Sequence, residues 1–382
     1  MNTTCPASSH LQSVLHIFNG LNPSGMERML LSASPHSPIS NNHITVVGQG
    51  KTNPFAQELH KAGYNVELIR SISSPAGFIS LVRLIRMLRP SVIHIHTEGK
   101  FAQAVLAARA ASASTPLVRS VHSIFKKKRL AAVYRRLVSA LLDREVSKFV
   151  ACSPEVQDFE EAFGRTTDLV WNWVDDKFFS LERSVESSSF GDRRNFLLVG
   201  NCSWIKNHEL ALEALDHAAF DSSFDFAVAH YGLEHGGSAE ERVKLDKWED
   251  EGRLTHRGPG DPSNGMTNRP TFLMPSLHEG MGVALAEAIV AGLPAIVADV
   301  PGLQWAREFN NVSHAKLTVA DWAQELVNFE PGKDSENADK SRFSARIGIN
   351  SYFEIYASAI ERSRRSKSRL SGQSLIPGKK AE

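Results

Sequence analysis

Short apolar runs of strand length alternate with longer stretches of helical period along most of the chain, and this rhythm belongs to parallel α/β units. Parallel strands are buried on both faces and read as near-continuous apolar runs, and each needs a long crossover back to the same sheet edge. The runs "SVLHIFN" (13–19), "HITVVG" (43–48), "NVELI" (65–69), "SVIHIHT" (91–97), "PLVRSVH" (116–122) and "SKFVACS" (147–153) predict the strands of one doubly wound domain. Helices fit between them. The stretch "GFISLVRLIRMLR" (77–89) sets Phe78, Leu81, Leu84, Ile85 and Leu88 along one side.

After "LVWNWVDDKFF" (169–179), a serine-rich stretch, "SLERSVESSSFGDRR" (180–194), has little hydrophobic period and reads as a linker or surface excursion. The alternation restarts with "NFLLVG" (195–200), "FDFAVAHYG" (224–232), "TFLMPS" (271–276) and "PAIVAD" (294–299). At 382 residues the chain exceeds one ordinary core. Two α/β domains are therefore expected, over 1–176 and 177–340, then a helical segment over 341–365 and a basic, polar tail over 366–382 expected to be disordered.

Composition excludes several classes. A net charge of +1 with 22% charged residues gives no global field for nucleic acid. Cys5, Cys152 and Cys202 lack CxxC spacing and are odd in number, so they read as buried or incidental thiols in a reducing compartment. The N-terminus lacks the basic start and apolar core of a secretory signal. The most apolar long window, 282–300, is interrupted by Glu287 and Pro294 and does not suit a membrane span. A soluble or peripheral, cytoplasmic protein is expected.

Within "HEGMGVALAE" (278–287), Glu279 and Glu287 stand eight positions apart, an offset about 80° from closing on one helix face. The local order is a strand, a loop with Gly280 and Gly282, a helix from about Val283, then Gly292 and Pro294 before the next strand. A glycine-rich turn at the C-terminal end of a parallel strand, leading into a helix, exposes backbone N–H groups at a positive dipole end and suits a phosphate. Glu279 would face the cleft from the loop, and Glu287 would reach another part of the same ligand. On spacing alone a plainer reading is preferred: Glu279 complements the helix N-terminus and Glu287 is solvated, each worth about 0.3 to 1 kcal/mol.

The surroundings reverse that preference. The block "FLMPSLHEGMGVALAEAIVAGLPAIVADVPG" (272–302) resembles the Glu-x7-Glu signature of the retaining glycosyltransferases of the GT-B fold, glycosyltransferase group 1 or family 4. "PSGMERML" (23–30), "VIHIHT" (92–97), "VRSVHS" (118–123), "FVACSPEV" (149–156), "WNWVD" (171–175) and "LLVGNCSWIKNHELALEAL" (197–215) extend the resemblance in the right order. It implies two Rossmann-like domains facing across a cleft, with a nucleotide-sugar held mostly by the C-terminal domain, and the 341–365 segment packing back toward the N-terminal one.

By the same resemblance, Glu287 holds the ribose hydroxyls and Glu279 addresses the transferred sugar, with the N–H groups of Gly282 and Val283 on the sugar and diphosphate. Lys206 neutralises the leaving diphosphate, and Gly25 lets the first loop approach it. His122 matches the family histidine at the donor sugar; without the resemblance, it reads as a strand-end histidine satisfied by backbone. His94 and His96 share a strand face, but no third ligand is evident in the sequence and no zinc site is expected there.

Two departures stand out. Asn201 occupies the position of the family's usual diphosphate arginine, losing a charge-assisted contact worth on the order of 1 to 3 kcal/mol, and Ser24 replaces the first glycine of a usual pair. No Asp-x-Asp occurs, so no metal and no cofactor beyond a UDP- or GDP-sugar co-substrate is expected. The run "KKKR" (126–129) opens a basic amphipathic segment, 126–144, suited either to an anionic membrane surface or to packing with a solvated face.

These features imply hexosyl transfer from a nucleoside diphosphate sugar to a hydroxyl of a growing, lipid-linked bacterial surface glycan. The alternatives are a catalytically weak scaffold that binds a sugar nucleotide or a partner transferase, and a sugar-nucleotide epimerase. A dehydrogenase lacks support because no Gly-x-Gly-x-x-Gly follows the first strand.

Overall fold

The structure, a computed structural model, describes residues 11–124, 141–184, 193–220, 224–234, 236–330 and 338–372. In the N-terminal half, β1 (Val14–Ile17), β2 (Ile44–Gln49), β3 (Asn65–Ile69), β4 (Val92–Ile95), β5 (Leu117–Val121), β6 (Lys148–Ala151) and β7 (Thr167–Leu169) form one parallel sheet. Its order is β3-β2-β1-β4-β5-β6-β7. In the C-terminal half, β8 (Arg194–Val199), β9 (Phe226–Tyr231), β10 (Leu254–Gly258), β11 (Thr271–Met274), β12 (Ala295–Ala298) and β13 (Val312–Ala315) form a second. Its order is β10-β9-β8-β11-β12-β13, again parallel throughout.

Most interior strands, β1, β2, β4, β5, β9 and β12, are buried along their whole length because both faces are covered by helices. The helix Pro75–Leu88 illustrates the covering layer. Ser74 accepts the Gly77 N–H at its start, Pro75 suits the first turn, and Arg89 ends it in the left-handed conformation. Leu81, Leu84 and Ile85 turn inward.

The sequence reading lacks β7, β10 and β13. All three lie at sheet edges and carry polar residues, as in "TDL", "LTHRG" and "VSHA", so the apolar run that betrays a central strand is missing.

The last helix begins at Ala345 and extends to Gly372, past the break at 365 expected from the sequence. It returns to the N-terminal sheet: Tyr356 Oη lies 2.7 Å from His94 Nδ1, and Tyr352 Oη 2.7 Å from Ser120 Oγ. Residues 373–382, Cys5 and the basic segment from 126 to 140 lie outside the described residues. No helix among the described residues is long and apolar enough to cross a membrane.

Each sheet reverses its winding once, between β1 and β4 in the first and between β8 and β11 in the second. Crevices beyond the carboxyl ends of the strands at such points are where open α/β sheets bind ligands. The two crevices face one another here. The loop after β5 meets the loop after β11, where a Cβ on Gly280 would fall 1.9 Å from the His122 carbonyl oxygen. Ser153 beside it donates to the Gly280 carbonyl at 2.8 Å.

Candidate active site

Between the halves lies a cleft of about 530 Å³, a size suited to a small-molecule ligand. Pro23, Ser24, Gly25 and Arg28 line it from the N-terminal half; Gly200, Asn201, Lys206, Val283, Ala284 and Glu287 line it from the other. A second cavity of about 300 Å³ shares Arg28, Val283 and Glu287 with it.

Two helix N-termini meet at this cleft. The helix Val283–Val290 starts at Gly282, whose φ of 76° is left-handed, and any Cβ there would strike Leu303 Cδ2 at 2.9 Å and Met274 Sδ at 3.1 Å. Glycine alone fits that turn. The helix Gly25–Ala33 starts opposite, and a Cβ on Gly25 would touch Val283 Cγ2 at 3.4 Å. The first amides of any helix lack an intrahelical acceptor and carry a partial positive charge, so the paired termini form a place for an anion.

Lys206 and Glu279 are joined. The ammonium lies 2.7 Å from Glu279 Oε1, which ties the loop after β8 to the loop after β11. Asn201 turns its amide oxygen to the Leu233 N–H at 2.9 Å and thereby fixes the loop after β9. Arg28 was not singled out by sequence reasoning, although it stands in the "MERML" stretch. It is exposed at the cleft wall and makes no side-chain hydrogen bond or ion pair among the described residues.

Glu287 is 8% exposed, and burial pushes its carboxyl up to about 7; Arg28 and Lys177 pull the other way more weakly. A carboxylate so placed gains from any ligand that brings hydroxyl donors. Glu27, in the first turn of the helix Gly25–Ala33, is also raised by burial; it accepts the Ser24 hydroxyl and, at 3.2 Å, the Asn22 N–H. That bond accounts for serine at the position of the expected glycine.

His122 follows β5, half-buried beneath the Glu279–Gly280 loop, its Nε2 3.3 Å from His96 Nδ1. Burial lowers it to about 4, so its ring is neutral near pH 7, and it is not among the residues lining the cleft. The pair His94 and His96 gains a third histidine that the sequence reading did not foresee: His16 Nδ1 lies 2.9 Å from His96 Nε2. His94 spends both nitrogens on hydroxyls, Nδ1 on Tyr356 and Nε2 on Ser120, at 2.7 and 2.8 Å.

Residues 23–178 match the family model described as Glycosyltransferase Family 4, and residues 181–307 match that of Glycosyl transferases group 1. EpsF of Bacillus subtilis, whose name places it among glycosyltransferases, is 27% identical over 321 residues, covering 76% of this chain and 80% of the relative. The crystal structure of Alr3699/HepE from Anabaena in complex with UDP-glucose superposes with a TM-score of 0.65 at 18% identity, covering 94% of this chain and 99% of that one. A glycosyltransferase structure from Rickettsia africae gives 0.65 at 14% identity, covering 94% and 98%. With one family model on each half and the halves meeting at this cleft, the chain belongs to the group 1 glycosyltransferases of the GT-B fold.

Proposed function

We propose that the chain transfers a hexose, with retention at the anomeric carbon, from a nucleoside diphosphate sugar to a hydroxyl of a growing, lipid-linked bacterial surface glycan. The observation that carries this reading is the convergence of two switch-point crevices on Lys206, Glu287 and the paired helix N-termini. The diphosphate lies at those termini near Gly25, Gly282 and Val283, with Lys206 and Arg28 as its cations. Glu287 accepts both ribose hydroxyls. The wall of Leu233, Pro259 and Pro262 offers flat apolar surface to the base. UDP is the favoured nucleotide, because the similar HepE structures are complexes with UDP or UDP-glucose.

Donor binding would draw Lys206 from Glu279 onto the diphosphate and leave Glu279 for the sugar hydroxyls. His122, neutral, offers a ring nitrogen to the same sugar. The acceptor hydroxyl forms its bond to the anomeric carbon on the face from which the diphosphate departs. The bond to the leaving phosphate oxygen breaks, and that oxygen takes the hydroxyl proton. Lys206 and the helix termini stabilise the charge that grows on the leaving group, so the step needs no metal in this reading. The basic segment 126–144 would serve a lipid-linked acceptor at an anionic membrane surface.

The test is calorimetric titration of the full chain with UDP, GDP and ADP, repeated with Glu287→Ala. One nucleotide should bind and lose roughly 10- to 100-fold in affinity in the variant. Failure of all three to bind folded protein would reject the reading in favour of a scaffold.

A further inference from the structure

We propose that Cys202, His208, His230 and Glu241 form a structural zinc site directly behind the loop that carries Asn201 and Lys206. The four residues come from four elements: the loop after β8, the first position of the helix His208–Ala218, the interior of β9, and the first turn of the helix Ala239–Asp250. All are buried, at 3%, 3%, 1% and 3% exposure. Ser238 holds the fourth element in place, accepting the Glu241 N–H at 2.9 Å and donating to Glu209 Oε2 at 3.1 Å.

The ligand atoms of Cys202, His208 and His230 lie within 4.8 Å of one another, and Glu241 adjoins the group through His208. Cys202 Sγ lies 3.5 Å from His230 Nε2 and 3.9 Å from His208 Nδ1, and His208 Nδ1 lies 3.3 Å from Glu241 Oε1. With Zn–S near 2.3 Å and Zn–N or Zn–O near 2.0 to 2.1 Å, tetrahedral geometry separates sulfur from nitrogen by about 3.6 Å and nitrogen from oxygen by about 3.3 Å. Despite its neighbour, Glu241 Oε1 has no hydrogen bond, a costly state for a buried carboxylate oxygen. A divalent cation removes that cost and balances charge. One thiolate and one carboxylate against Zn²⁺, with two neutral imidazoles, leave no net charge to bury. Mixed sulfur, nitrogen and oxygen ligands in a closed tetrahedron suit zinc.

The second cluster, His16, His94 and His96, shows the contrast. Its ring nitrogens also approach one another, yet both nitrogens of His94 are engaged by hydroxyls, so that group is a hydrogen-bonded column. Among the described residues, no hydroxyl engages Cys202 Sγ, His208 Nδ1, His230 Nε2 or Glu241 Oε1.

Position gives the site its consequence. The Cys202 N–H donates to the Leu233 carbonyl at 2.8 Å, next to the Asn201 bond to the Leu233 N–H. An ion on Cys202 therefore anchors both loops that present the cleft's C-terminal wall, without touching a ligand in it.

The experiment uses the full chain, purified without chelators, incubated with zinc and dialysed. Mass spectrometry of the metal should find about one zinc per chain. Metal-free protein titrated with Co²⁺ should develop tetrahedral visible bands and a thiolate-to-cobalt charge-transfer band. Cys202→Ala should lose zinc and that band, while His16→Gln should keep both. The wild-type cobalt spectrum needs no variant, so a misfolded variant leaves the test intact. Retention of less than about a tenth of an equivalent of zinc, together with no thiolate band, overturns the proposal. Loss of zinc in His16→Gln with retention in Cys202→Ala overturns it too. Neither result depends on whether a nucleotide binds the cleft.

Discussion

Glu287→Gln separates a structural glutamate from a ligand-binding one. The carboxyl is ordinary at 4.5 and is pushed up to about 7 by burial. A raised folded value means the protonated form is favoured in the folded protein. The stabilisation is complete below 4.5 and lost as the pH climbs through about 7. Ionising the buried group costs about 3 kcal/mol relative to the unfolded chain. The amide of Gln does not titrate. Urea unfolding without nucleotide at pH about 5 and about 8.5 should show the variant gaining on wild type by about 2.5 kcal/mol between them, since part of the loss has already occurred by pH about 5.

Nucleotide binding should show the reverse linkage. A ribose diol donating to the carboxylate favours its ionised form, so UDP affinity for wild type should rise through pH 7 and level above it. Calorimetry near pH 6 in buffers of different ionisation enthalpy should detect release of about one extra proton per UDP in wild type. The terminal phosphate of UDP titrates near pH 6 itself, so the difference between wild type and Glu287→Gln is the informative quantity. Identical proton release and identical pH profiles in the two proteins would refute the ribose role.

Lys206→Ala should change the melting transition little, because its ion pair with Glu279 is partly exposed and worth at most about 1 kcal/mol. Turnover of the nucleotide sugar should fall on the order of 10² to 10³, read by release of the nucleoside diphosphate. Gly280→Ala drives a Cβ against the His122 carbonyl, a backbone atom that no rotamer change can move aside. The halves should be displaced, so transfer should drop by roughly 10²-fold and UDP affinity, which draws a cation and a helix N-terminus from each half, by only about 10-fold. Steady-state kinetics beside calorimetry distinguishes the two.

The interior of each sheet was legible because a strand covered on both faces has to be apolar throughout, as "HITVVG" and "PAIVAD" are. Edge strands are released from that demand, which is why β7, β10 and β13 escaped notice; β3 was read at its edge because Val66, Leu68 and Ile69 still form an apolar run. The cleft was legible where its parts are contiguous. Strand β11, its loop, the helix Val283–Val290 and β12 follow one another, so glycine and proline positions alone located the helix start. The Lys206–Glu279 pair, the contact of Gly25 with Val283 and the role of Arg28 depend on how the loops converge. The four residues of the Cys202 cluster have no motif spacing because each rides on a different element.

Asn201 takes its meaning from that convergence. As a replacement for an arginine it suggests a weakened diphosphate site, but its amide oxygen has work of its own on the Leu233 N–H. Lys206 remains on the C-terminal wall, already paired with Glu279, and Arg28, unpaired among the described residues, stands on the N-terminal wall. In the proposed reading, a diphosphate therefore draws one cation from each half and meets one helix N-terminus from each. Charge neutralisation then depends on both halves facing the ligand together, whereas an arginine at 201 would supply it from one. In that reading a donor so held would strengthen the apposition of the two crevices, the same apposition that would bring His122 and Glu279 to the sugar.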